Sequence, residues 1–176
     1  LSRRQRQMCI RDRGVIYLCS FNEAVIKKTL RESNLVFSEL FSARPHIFIG
    51  RNNPLAGRER VNMKDLESLP CLTYEQGDQN SFYFSEEILS TLSHEKSIKV
   101  TDKGTIIDLM TGTDGYTISS GICPSYLRGD DIISIPLDVE EIIRIGVITH
   151  KDYRPTALGQ MYLDVLHRVV GDMQSE

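Results

Sequence analysis

The feature that most constrains this chain is the alternation of strand-like and helix-like segments along most of its length. Gly14–Cys19 (GVIYLC) is an unbroken run of strand size. It is followed by Asn22–Glu32, where Val25, Ile26 and Leu30 recur at helical spacing with lysines between them. Leu35–Leu40 and His46–Gly50 read as two further strands, and the turn RNNPLAGRERV leads into a short helix around Met63–Ser68. The pattern then repeats. Cys71–Tyr74 is a strand, EQGDQNS a polar loop, and Phe82–Leu92 a helix with Asn80 or Ser81 as its N-cap. Ile98–Thr101 is a strand, Thr105–Thr111 a short helix ending at Gly112, and Tyr116–Ser119 another strand. Ile132–Pro136 and Glu141–Thr149 are the last strands. Thr156–Gly171 closes the chain as an amphipathic helix with Leu158, Met161, Tyr162, Val165, Leu166 and Val169 on one side. Such alternation predicts an α/β architecture with mainly parallel sheets, because parallel neighbours need a crossover and a helix is the usual one.

Composition narrows the class. A hydrophobic share of 40% in 176 residues supports a packed core, and no apolar run approaches the roughly 20 residues that span a bilayer. The first thirteen residues, LSRRQRQMCIRDR, hold five of the 21 basic residues and one of the 24 acidic ones. The remainder is therefore more acidic than the formal net charge of -3 states, and carries no electrostatic footprint for nucleic acid. The basic stretch lacks the apolar core of a secretory signal. It resembles translated adapter read-through, so residues 1–13 are read as a non-native tail; the alternative is a basic nucleic-acid arm. Cys9, Cys19, Cys71 and Cys123 show no CxxC spacing and suit buried positions in a reducing cytoplasm.

No catalytic constellation is visible. His46, His94, His150 and His167 are scattered without metal-ligand spacing and read as surface or partly packed residues. The chain has no GxSxG elbow, no Walker loop and no GxGxxG. Neither cofactor nor metal is implied. What remains is a set of strand-to-helix turns rich in hydroxyl and amide side chains: Gln79, Asn80 and Ser81, then Thr105, then Ser119 and Ser120. Taken singly, each reads as an ordinary cap or turn former. Together, on the carboxyl edge of a parallel sheet, they predict a ligand crevice in which helix N-termini favour anions.

At this point the residues resemble a known family. The block PHIFIGRNNPLAGRERVNMKDLESLPCLTYEQGDQNSFYF is similar to the inter-lobe segment of LysR-type transcription regulators, with Asn53-Pro54-Leu55-Ala56 at the turn and Asp65-Leu66 in the short helix. DKGTIIDLMTGTDGYTISSGICPSYL resembles that family's later helix, strand and turn, matching at Gly115, Gly121 and Ile122, with the final proline displaced to Pro124. The likeness extends from about Gly14 to Gly171. It implies a two-lobed fold like the type 2 periplasmic binding proteins, with the first lobe incomplete. Lobe one would comprise residues 14–50 and 147–171, a crossover residues 51–69, and lobe two residues 70–146. It further implies a small anionic metabolite held between the lobes, with Gln79, Asn80, Ser81, Thr105, Ser119 and Ser120 as ligand contacts. Dimers or tetramers would form, and DNA would be bound only through a missing N-terminal helix-turn-helix domain. The protein would be bacterial, cytoplasmic, not membrane-bound and not an enzyme.

Two competitors share the fold: the solute-binding component of a transporter and an enzyme such as an aromatic-acid dehydratase. The NNPLAGRERV block favours the regulator over the first. The want of an acid, base or nucleophile set counts against the second.

Overall fold

The computed structural model describes residues 13–75, 94–123, 129–152 and 156–175. In chain order its elements are β1 (Arg13–Leu18), α1 (Glu23–Glu32), β2 (Leu35–Ala43), β3 (His46–Gly50) and a 3-10 turn at Met63–Leu66. There follow β4 (Cys71–Tyr74), β5 (Ser97–Val100), α2 (Lys103–Gly112), β6 (Tyr116–Ser119), β7 (Ile132–Pro136), β8 (Ile143–His150) and α3 (Ala157–Ser175). Of the expected tail 1–13, residues 1–12 lie outside the described residues and Arg13 begins β1; the expected helix at Phe82–Leu92 also lies outside them. The chain divides into two compact units. One is made of its two ends, Leu1–Ser42 and Arg144–Glu176, and the other of Ala43–Ile143.

The smaller unit is a three-stranded sheet in the order β1-β8-β2. Leu18, Ile26 and Leu30 form its buried cluster, with Ile16, Leu35, Phe37 and Ile148 packed against it. Each such side chain removed from water contributes about 1.5–3 kcal/mol. The turn from β1 into α1 is held by Asn22, which is buried. Its Oδ1 accepts from the Cys19 N–H at 2.8 Å and its Nδ2 donates to the Tyr17 carbonyl at 3.3 Å. Glu23 then pairs with Lys27 at 2.5 Å and with Arg144, tying α1 to β8. The hydrogen bonds from Lys27 and Arg144 hold the Glu23 carboxyl below the usual carboxylate range.

The larger unit is a five-stranded sheet in the order β5-β4-β6-β3-β7. Phe48, Leu72, Val100, Ile106, Met110 and Ile132 form its buried cluster, joining α2 to one face of the sheet. α2 lies close enough that a Cβ at Gly50 would overlap the Met110 carbonyl, so β3 ends on the one residue that lacks it. Cys71, Leu72, Thr73 and Tyr74 pair in parallel with Ser97, Ile98, Lys99 and Val100.

The strand directions correct the expectation of mainly parallel sheets. β3 is antiparallel to both β6 and β7, and β1 is antiparallel to β8. Among the described residues of the larger unit only β4, β5 and β6 form a parallel set; β3 and β7 flank it, with β3 running opposite to its neighbours on both sides. The same strand shifts the division of the chain. The family resemblance implies a first lobe that includes His46–Gly50, but this strand hydrogen-bonds along both edges inside the larger unit.

Residues 51–69, expected as a crossover, also pack on the larger unit. Asn53 is buried, donating from Nδ2 to the Asp114 carbonyl at 2.9 Å and accepting the Leu55 N–H on Oδ1 at 2.9 Å. The NPLA turn is thus clamped by its own asparagine. Asn62 and Asp65 complete a capping box around the 3-10 turn, and Leu66 is buried beneath it.

Candidate functional site

The parallel strands of the larger unit set up one level edge. β4, β5 and β6 begin together, with Cys71 opposite Ser97 and Tyr116, and each is four residues long. They therefore end together at Tyr74, Val100 and Ser119. β4 lies between the other two, so the turns after β5 and β6 stand about 10 Å apart, two strand spacings. Glu75 donates its N–H to the Val100 carbonyl at 2.8 Å, fixing the exit of β4. This edge receives Thr105, Ser119 and Ser120 together. Gln79, Asn80 and Ser81 lie outside the described residues.

The two described turns differ chemically. At the first, Asp102 caps α2. Its carboxylate accepts the Thr105 N–H at 2.9 Å and the Thr105 hydroxyl at 2.7 Å. The Thr105 hydroxyl bond, then the backbone bond, hold the Asp102 carboxyl below its ordinary value. An ionised carboxylate thus already occupies the anion position at the start of α2, and Thr105 serves the cap.

The second turn is open to other use. Ser119 and Ser120 are half-buried, and among the described residues the Ser120 hydroxyl accepts a long bond of 3.4 Å from the Ile122 N–H. Gly121 has φ +80°, a left-handed backbone that residues with a Cβ rarely adopt. A Cβ there would stand 2.5 Å from the His46 ring, so glycine lets the turn lie flat on the imidazole. His46 is paired opposite Ser119. Its Nδ1 donates to the Arg44 carbonyl at 2.9 Å, which leaves Nε2 for a further hydrogen bond. From the sequence alone His46 is a surface or partly packed residue. Its place beneath the serine turn comes from β3 pairing antiparallel with β6, which local pattern does not reveal.

The corner formed by His46, Ser119, Ser120 and Gly121 offers hydroxyl donors, hydroxyl and imidazole acceptors and backbone amides. It can orient a small polar molecule. Among the described residues there is no group of three or more histidine, cysteine or carboxylate side chains able to hold a metal ion. A hydrogen-bonded imidazole–hydroxyl pair, His94 with Tyr116, lies at the opposite, amino edge of the same sheet. No helix among the described residues is long and apolar enough to cross a membrane.

An α/β chain of two units with a hydroxyl-rich turn on a sheet's carboxyl edge belongs to the class of two-lobed ligand-binding domains. The chain matches the LysR substrate binding domain over residues 21–171, and it belongs to that family, which is regulatory and ligand-binding. Solved structures agree at the level of fold. The effector binding domain of QuiR in complex with shikimate superposes with a TM-score of 0.62 at 14% identity, covering 94% of this chain and 75% of that one. The BenM effector binding domain with its effector benzoate gives 0.59 at 13% identity, covering 90% and 71%. A LysR family regulator from Pseudomonas aeruginosa gives 0.60 at 14% identity, and there the chain spans 55% of its relative's length. No curated protein sequence matches the chain. The fold is accordingly the type 2 periplasmic-binding-protein-like one, and the chain is an effector-binding domain of a LysR-type regulator.

Proposed function

We propose that this domain senses a small organic acid at the carboxyl edge of the larger unit's sheet and turns over no substrate. The observation that carries this reading is the Ser119–Gly121 turn lying on His46, where half-buried hydroxyls, backbone amides and an imidazole converge. Shikimate and benzoate, held by two of the structural relatives, both carry a carboxylate and a ring, a class that hydroxyls and amides orient well. The anion is received at the Ser119–Ser120 turn, because Asp102 already neutralises the start of α2. Gln79, Asn80 and Ser81 complete the contact set from the turn after β4. Binding shifts a conformational equilibrium, which a helix-turn-helix domain of the whole protein reads on DNA as a dimer or tetramer in the cytoplasm.

The test is a thermal-shift screen of ring carboxylic acids, with shikimate and benzoate included. A ligand that stabilises the protein should lose most of its effect on Ser119→Ala with Ser120→Ala, and keep most of it on Thr105→Ala. Stabilisation untouched by the double serine change would refute the site. Consumption of the ligand by the purified protein would refute the sensing role.

A further inference from the structure

The amino edge of the larger unit's sheet carries a cavity of about 210 Å³. Four-residue strands put it about 13 Å from the carboxyl edge. Its volume lies below the roughly 300–1,000 Å³ of drug-sized pockets, so it suits a ligand of few heavy atoms. Its apolar surface comes from Leu66 and Leu69 after the capped turn, and from the buried ring of Tyr116. His94 forms another wall, its ring edge-on to Tyr116 at 6.1 Å between centroids, with the phenol oxygen 3.0 Å from Nδ1. Glu67 and Glu95 flank the opening, both exposed. Among the described residues neither carboxylate forms an ion pair. Lys96, the neighbouring cation, donates to the Ser68 carbonyl at 2.9 Å.

We propose that this pocket binds a small organic cation, a primary amine on a short apolar body. The body fills the space over Leu66 and Leu69, and the ammonium lies at the Glu67 and Glu95 rim and against the aromatic wall. Burial lowers the His94 pKa, so the imidazole is neutral near pH 7 and does not repel the ligand. Burial, with the Cys71 thiol beside it, pushes Tyr116 up. The phenol stays protonated, hydrogen-bonded with Nδ1 of His94. The site is separate from the carboxyl edge in place and prefers the opposite charge.

The experiment is a titration of the full chain with benzylamine, benzyl alcohol and benzoate, followed by NMR at the His94 imidazole and the Ser119–Gly121 amides. Benzylamine should move His94 at lower concentration than either control. Glu67→Gln with Glu95→Gln, both surface changes, should weaken benzylamine about tenfold, as two lost exposed charge pairs imply, and erase its advantage over the alcohol. Leu69→Trp should abolish the shift by filling the space. Equal shifts from amine and benzoate, no shift at His94, or an advantage that survives the double glutamine change would overturn the proposal. Benzoate shifts at Ser119–Gly121 report on the sensing site alone, so each reading stands or falls separately.

Discussion

At the residue scale, two positions have consequences larger than their size. Gly121→Ala would place a methyl against the His46 ring on a backbone at φ +80°. It should destabilise the domain by about 1–3 kcal/mol in urea unfolding, and His46→Ala should recover part of that loss by removing the clash but not the strain. His94 gives the chain a pH dependence of definite sign. Its pKa is lowered by burial from the ordinary 6.5, even though Glu67 and Glu95 line the same pocket. The unfolded chain therefore binds the proton more readily than the folded one. The associated stability is complete above 6.5 and is lost as pH falls below it towards the lowered value. The urea midpoint should drop on acidification in that window, and His94→Gln should flatten the slope. Glu23 and Asp102 are also lowered and act only further down, in the carboxylate range.

At the scale of elements, the terminal helix shows what a hydrophobic pattern does and does not say. The reading of α3 as amphipathic grouped Leu158, Met161, Tyr162, Val165 and Val169 with Leu166. Five of the six are exposed, Leu158 by 76% and Met161 by 62%, while Leu163, Leu166 and Val170 are half-buried and Gly159 is buried. Periodicity identifies a stripe; only packing decides which stripe faces in. Leu158→Ser with Val165→Ser should cost less than about 0.5 kcal/mol in thermal unfolding and reduce binding of a hydrophobic dye. A large loss of stability would mean that this face is covered in solution. Strand limits were more legible, because turn residues punctuate them: β3, β4, β6 and β7 run as their apolar runs suggest. Sheet membership was not, since the pattern of His46–Gly50 is the same whichever sheet it joins. The site shows the same division. Turn chemistry singles out Thr105, Ser119 and Ser120 alike, whereas the Asp102 bonds to Thr105 are a matter of side-chain geometry. Tyr116 and His94 meet across a separation that local spacing cannot read.

At the scale of the whole molecule, the two units are unequally stocked. Among the described residues, the buried cluster of the smaller unit holds Leu18, Ile26 and Leu30, while that of the larger holds six residues from five elements. Hydrogen exchange should therefore find the amides of β1 and β8 opening before those of β3, β4 and β6. An effector at a hundred times its dissociation constant should add about 2.7 kcal/mol, raising Tm by roughly 5–10 °C for a chain of this length. The order of strands carries a temporal meaning as well. β8 lies between β1 and β2, yet all of it beyond Ile143 is made after the larger unit is complete. On a translating ribosome the larger unit is finished first, and β1 and β2 leave the exit tunnel without the strand that joins them. Until β8 emerges their facing edges are open to any passing strand, so Arg13–Ala43 is the segment of the nascent domain that most needs shielding from mispairing.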